Sequence, residues 1–113
     1  MDAGSAVSGC GPAFVDLFVE ALADGGVACG LPRAAALEFA AQMVAGSAKL
    51  ILESGQHPGA LKDAVCSPGG TTIQGVRALE EGGFRGTVMK AMEACAKKNH
   101  AMGLKYERRQ TEK

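Results

Sequence analysis

The chain has 113 residues and a mass of 11.5 kDa, enough for one domain with one core. Its 12 basic and 12 acidic side chains cancel, which excludes a global bias toward nucleic acid or an anionic membrane. A hydrophobic content of 47% excludes disorder as a description of the whole chain.

Only 4% of the residues are aromatic and none is Trp, so the core must be built from Ala, Val, Leu, Ile and Met. Such small side chains let helices approach closely, but each buries little area, at about 25 cal/mol per Å². Self-association is a natural way to bury more. No run approaches the roughly 18 apolar residues of a membrane span. Met1 to Val7 lack the basic and apolar regions of a signal peptide. Cys10, Cys29, Cys66 and Cys95 form no CxxC pair and read as free thiols in a reducing cytoplasm. A cytoplasmic protein without a metal site is expected.

Ser8-Gly9-Cys10-Gly11-Pro12 reads as a turn, with Pro12 at the first position of a helix. Phe14, Leu17, Phe18, Ala21 and Leu22 then mark one helical face. Gly25-Gly26 loosens or ends this helix, Val27 to Cys29 continue it past a bend, and Gly30-Leu31-Pro32 stops it. A second helix is predicted from about Arg33 to Ser54. Its polar residues Glu38, Gln42, Lys49 and Glu53 line up in one narrow stripe, and nearly all the rest is apolar. A helix apolar around most of its circumference is a buried one. In a domain this small, burial requires a partner chain, so the sequence itself predicts a homodimer.

A loop at Gly55 to Gly59 precedes a short helix from about Pro58 to Val65. The Ser67 to Thr72 turn follows, and then a helix that turns Ile73, Val76 and Leu79 inward and stops at Gly82-Gly83. The last helix runs from about Phe84 or Arg85 to about His100, with Phe84, Val88, Met92 and Cys95 on one face. The polar segment after Gly103 is expected to fray. No stretch alternates with period two, so the fold class is all-α, a bundle of about five helices. The 16 glycines cluster at helix ends, as caps would. The domain is placed at residues 8–102, between a linker at 1–7 and a polar tail at 103–113.

The chemically pointed feature is Ser67-Pro68-Gly69-Gly70-Thr71-Thr72. Two consecutive glycines allow a ligand to come up against the main chain. The helix that begins near Thr71 presents unpaired N–H groups and about half a positive charge. Together these make an anion site, to which Ser67 and Thr72 add hydroxyls. Ser, Pro and Thr are equally favoured at an ordinary helix start, so from pattern alone the turn is either a cap or a site. A phosphate loop would place Lys after the glycines; here Thr71 and Thr72 follow, which suits a carboxylate better. No GxGxxG follows a strand, so no nicotinamide or flavin nucleotide domain is present. His57 reads as exposed or locally bonded, His100 as solvated, and Lys62 and Asp63 as an exposed helix face.

The motifs Ser8-Gly9-Cys10-Gly11-Pro12-Ala13-Phe14, Glu20-Ala21-Leu22-Ala23-Asp24-Gly25-Gly26-Val27, Gly30-Leu31-Pro32 and His57-Pro58-Gly59 occur in order. Leu61-Lys62-Asp63, Ser67-Pro68-Gly69-Gly70-Thr71-Thr72-Ile73 and Leu79-Glu80-Glu81-Gly82-Gly83-Phe84-Arg85 follow them. Taken together, they resemble the C-terminal domain of pyrroline-5-carboxylate reductase, over roughly Val7 to Met102.

The resemblance implies reduction of 1-pyrroline-5-carboxylate to L-proline with NADPH or NADH, the last step of proline synthesis. It implies a helical domain that intertwines with its twin as a homodimer, and dimers that assemble further. By carry-over, Ser67 and the loop Gly69, Gly70, Thr71 and Thr72 bind the substrate. The N–H groups of Gly70 and Thr71 would hold its carboxylate, and Thr72 would hydrogen-bond the ring nitrogen and help deliver its proton. The family's N-terminal Rossmann domain has no counterpart here. The chain is therefore expected to bind no cofactor and to be inactive alone. The alternative is a non-catalytic dimeric interaction module derived from that domain.

Overall fold

Proline and glycine punctuate this chain so regularly that most helix ends can be assigned to a named residue. The computed structural model describes the backbone of residues 3–111 and the side chains of residues 3–98. Among the described residues there are five helices and no strand: α1 (Ala3–Ala28), α2 (Arg33–Ser54), α3 (Pro58–Val65), α4 (Thr71–Glu81) and α5 (Phe84–Thr111). The all-α expectation holds, and α2, α3 and the start of α4 fall where the sequence predicts.

The end of α1 shows why. Gly30 adopts φ 106°, a conformation that L side chains rarely adopt. Its N–H donates to the Val27 carbonyl at 2.9 Å, and the Leu31 N–H donates to the Gly26 carbonyl at 2.9 Å. This pair of bonds is a Schellman cap. Pro32 then sits in extended backbone immediately before α2, and its neighbour Arg33 pairs with Asp24 of α1. At the other end of α2, Gly55 is left-handed and its N–H returns to the Ile51 carbonyl.

Two predicted ends move. α1 begins at Ala3, not at Pro12, so Pro12 lies inside the helix. The first turns are held by packing that the pattern does not reveal: Ala6 is buried, and the Ser8 hydroxyl donates to the Gly4 carbonyl. Residues 3–7, read as linker, are therefore helical. α5 runs past His100 and Gly103 to Thr111. The residues after Gly103 are mostly good helix formers, and one interior Gly costs only about 1 kcal/mol.

The chain divides into two units, residues 15–79 and residues 1–14 with 80–113. In the first, Gly26 of α1 lies against α2: a Cβ there would be 3.2 Å from the Ala36 Cβ and 3.3 Å from a Leu31 methyl. Gly25-Gly26 does not end α1; Gly26 lets two helices approach. Ala23, Ala36 and Ala40 are the buried residues of this unit. In the second unit, Ala6 is buried and Cys10 and Phe14 are half-buried on α1, spaced one helical face apart. Gly86, Ala91, Met92 and Cys95 are half-buried on α5.

Large apolar side chains remain uncovered. Phe39 is 63% exposed and Leu52 84%, and Leu37, Met43, Leu50 and Ile51 of α2 are exposed with them. Ile73 and Leu79 of α4, predicted to face inward, are exposed too. The helix that the sequence marks as buried is thus not buried by its own chain. By length and composition, α1 and α2 are each apolar enough to cross a membrane, which corrects the count of uninterrupted runs. The reason is averaging: Ala and Gly dilute few charges over a long helix.

Candidate functional site

The turn between α3 and α4 is built by the segment that leads into it. His57 sits in extended backbone before α3, and its Nδ1 accepts a hydrogen bond from the Gly59 N–H at 2.9 Å. That bond caps α3, whose first residue is Pro58, and it places the ring proton on Nε2. His57 is therefore locally bonded. α3 ends at Cys66, which is half-buried and whose N–H donates to the Asp63 carbonyl at 3.1 Å. Lys62 and Asp63, both on α3, pair at 3.2 Å.

Ser67 opens a tight turn. The Gly70 N–H donates to the Ser67 carbonyl at 3.0 Å, and Gly69 has φ 69°. Pro68 at the second position and a left-handed Gly at the third are the signature of a type II turn. Gly70 is required for a different reason. A Cβ there would lie 2.5 Å from Ser67 Oγ and 3.2 Å from the Ser67 carbonyl oxygen. The Ser67 side chain thus fills the space beside Gly70, directly ahead of the first residue of α4.

α4 begins at Thr71 and has no acidic residue in its first turn. The leading N–H groups of a helix have no intrahelical partner, and the helix dipole places partial positive charge there. Gly70, which precedes them, has no side-chain oxygen to cap them. The five residues singled out from sequence, Ser67, Gly69, Gly70, Thr71 and Thr72, therefore occupy one continuous turn with distinct tasks. Gly69 supplies the left-handed backbone and Gly70 the room for Ser67, while Thr71 and Thr72 open the helix. The Gly70 N–H, expected to hold a carboxylate, donates to the Ser67 carbonyl within the turn.

Among the described residues, no three of His, Cys, Asp and Glu come together as a metal ion would require. None of the described residues forms a strand, so they do not provide the strand–GxGxxG–helix unit that a dinucleotide needs. The side chain of His100 lies outside the described residues. Sequence reading missed the role of Gly26 in α1–α2 packing. The small-residue neighbourhood of Gly26 was a signal for it.

The sequence matches the family described as pyrroline-5-carboxylate reductase dimerisation over residues 1–102. It is 60% identical over 96 residues to a pyrroline-5-carboxylate reductase of Escherichia coli K12, covering 85% of this chain and 36% of that protein. It is 56% identical over 101 residues to one of Glycine max, covering 89% and 37%. The structure is similar to that of the Plasmodium falciparum pyrroline carboxylate reductase, solved with NADP bound, at a TM-score of 0.86 and 46% identity. The similarity covers 91% of this chain and 39% of that one. The chain thus spans little more than a third of the length of these relatives.

Proposed function

The chain belongs to the pyrroline-5-carboxylate reductase dimerisation family, and from that premise we propose that it is the dimer-forming and substrate-holding part of such a reductase. The reaction of the whole enzyme is reduction of 1-pyrroline-5-carboxylate to L-proline, with NADPH or NADH as hydride donor. The residues of this chain hold no nucleotide, and alone the chain does not turn over. Its setting is soluble and cytoplasmic, and its domain is residues 8–102.

The observation that carries this reading is the Ser67–Gly70 contact at the start of α4. It supports the reading because Ser67 Oγ lies at Gly70, the residue immediately ahead of α4, and that helix has no acidic side chain in its first turn. A carboxylate docked there accepts from the N–H groups and from Ser67 Oγ, and the helix dipole favours its charge. The absence of a Lys after the glycines leaves a site matched to a single negative charge. The Thr72 hydroxyl, one residue into the helix, hydrogen-bonds the ring nitrogen. As that nitrogen becomes an amine, Thr72 helps to deliver its proton. The exposed apolar face of α2 supports the second half of the proposal, a homodimer in which a twin chain covers it.

Calorimetric titration with L-proline tests the site. Weak binding is expected for the isolated dimer, lost in Ser67→Ala and weakened in Thr72→Val. A verified dimer that binds no proline at tens of millimolar overturns the substrate assignment. Turnover of NADPH by the pure chain overturns the statement that it is inactive alone.

A further inference from the structure

The imidazole of His57 plays no part in the proposed reaction, yet the start of α3 is built on it. α3 has eight residues, well short of the roughly 12–15 at which an isolated helix becomes even marginal, so its ends must be held. Its leading N–H groups can be accounted for one by one. Pro58, the first residue, has none. The N–H groups of Ala60 and Leu61 donate to the His57 carbonyl at 3.0 and 3.2 Å. That leaves Gly59, whose N–H donates to His57 Nδ1 at 2.9 Å. The fit is close. A Cβ at Gly59 would stand 3.0 Å from Nδ1 and 3.4 Å from Cε1, so the absence of a side chain there leaves room for the ring. A capping Asn, Ser or Thr offers an oxygen that accepts at any ordinary pH. An imidazole changes its charge between about pH 5 and 8.

From this geometry we propose that His57 and Gly59 form a pH-operated cap, which holds the first turn of α3 while the imidazole is neutral and releases it in acid. A neutral ring with its proton on Nε2 presents a lone pair at Nδ1, whereas a protonated ring carries an N–H at both nitrogens. Nδ1–H and the Gly59 N–H are then two donors face to face, and the bond between them is lost. The new cation also lies at the positive end of the α3 dipole. Both effects have one sign. The cap is complete above the imidazole range and is lost as the pH falls through it. Among the described residues no ion pair offsets this. α3 has no acidic residue in its first turn. Its Lys62 and Asp63 pair with each other, as do Lys49 and Glu53 near the end of α2, and His57 is exposed. The cap does not depend on what the Ser67 turn binds, so failure of one assignment leaves the other standing.

The experiment is a titration of the whole chain, labelled with heavy nitrogen, by NMR from about pH 8 to pH 5. At the alkaline end the His57 ring is expected as the Nε2–H tautomer. As acid is added, the Gly59 amide proton should move upfield with the same midpoint as the His57 ring, because it gives up its hydrogen bond. In urea unfolding, the folded-to-unfolded ratio should fall about fivefold further across this range than it does in His57→Asn, whose capping oxygen accepts throughout. The comparison cancels the carboxylates and His100, the other histidine, which titrate in both chains. An Nδ1–H tautomer at the alkaline end, a Gly59 amide that does not follow the ring, or parallel pH profiles for the two chains overturns the proposal. The two NMR readouts need no substitution, so they decide the matter even where His57→Asn fails to fold.

Discussion

The Ser67 side chain occupies the space that any side chain at Gly70 would need, 2.5 Å from the position of its Cβ. Gly70→Ala must therefore displace Ser67 Oγ or shift the turn. The expected cost is about 1–3 kcal/mol in thermal or urea unfolding, with proline affinity reduced at least about tenfold, or about 1.4 kcal/mol. Pairing the change with Ser67→Gly removes the hydroxyl. The double variant should regain most of the stability and none of the affinity. That split, read in a double-mutant cycle, separates strain in the turn from loss of a ligand contact. Additive stability losses would show that the two residues do not interact.

Gly25 and Gly26 are neighbours with opposite surroundings. A Cβ at Gly25 meets nothing within 4 Å, whereas one at Gly26 meets Ala36 and Leu31 at 3.2 and 3.3 Å. Both lie inside α1, where Ala is favoured over Gly by roughly 0.8–1 kcal/mol. Gly25→Ala is expected to raise the melting temperature by a few degrees. At Gly26 the same gain is opposed by the tight approach of α2, and Gly26→Val should destabilise by about 1–3 kcal/mol. Differential scanning calorimetry of the variants checks the sign of each.

His57 tests the framework behind the turn. Its Nδ1 caps α3 through the Gly59 N–H. His57→Ala removes that bond and should cost about 0.5–1 kcal/mol, while His57→Asn, which offers a capping oxygen, should recover most of it. Proline binding should fall less than twofold in either, because His57 supports α3 and is placed outside the carboxylate site. A tenfold loss of binding in both variants would place His57 at the ligand instead.

Where the sequence was legible, a residue with restricted backbone freedom marked the boundary. Pro32 and Gly55 bracket α2, Pro58 opens α3, and Gly83, with φ 77°, separates α4 from α5. The candidate turn was legible for the same reason, since Pro68-Gly69 permits few conformations. Pro12 misled because a proline is punctuation only when nothing else holds the chain helical. Burial of Ala6 holds it here, and burial is set by residues distant in sequence. The same distance hides the fit of Gly26 against Ala36. In the site, residue types pointed to Ser67, Thr71 and Thr72. The commitment of the Gly70 N–H to the Ser67 carbonyl is a property of the folded turn and has no signature in composition or spacing.

The surface of α2 gives the last prediction. Phe39 and Leu52 are large, apolar and open to solvent, and Lys49 and Glu53 pair with each other at 3.8 Å on the same helix. If a twin chain covers this helix, a charge at Phe39 or Leu52 must be desolvated without a partner, which costs several kcal/mol for a buried ion. A charge at Lys49 stays in water and costs little. Phe39→Asp and Leu52→Asp should therefore shift the chain from dimer to monomer, or to aggregate, in light scattering at tens of micromolar, whereas Lys49→Glu should leave the dimer intact. Burying each apolar side chain fully is worth roughly 1.5–3 kcal/mol, so a few such contacts per chain suffice to hold the pair. The unsubstituted chain running as a monomer at that concentration would remove the homodimer. The apolar face of α2 would then need a different partner, which is the role of the interaction module and not of a reductase subunit.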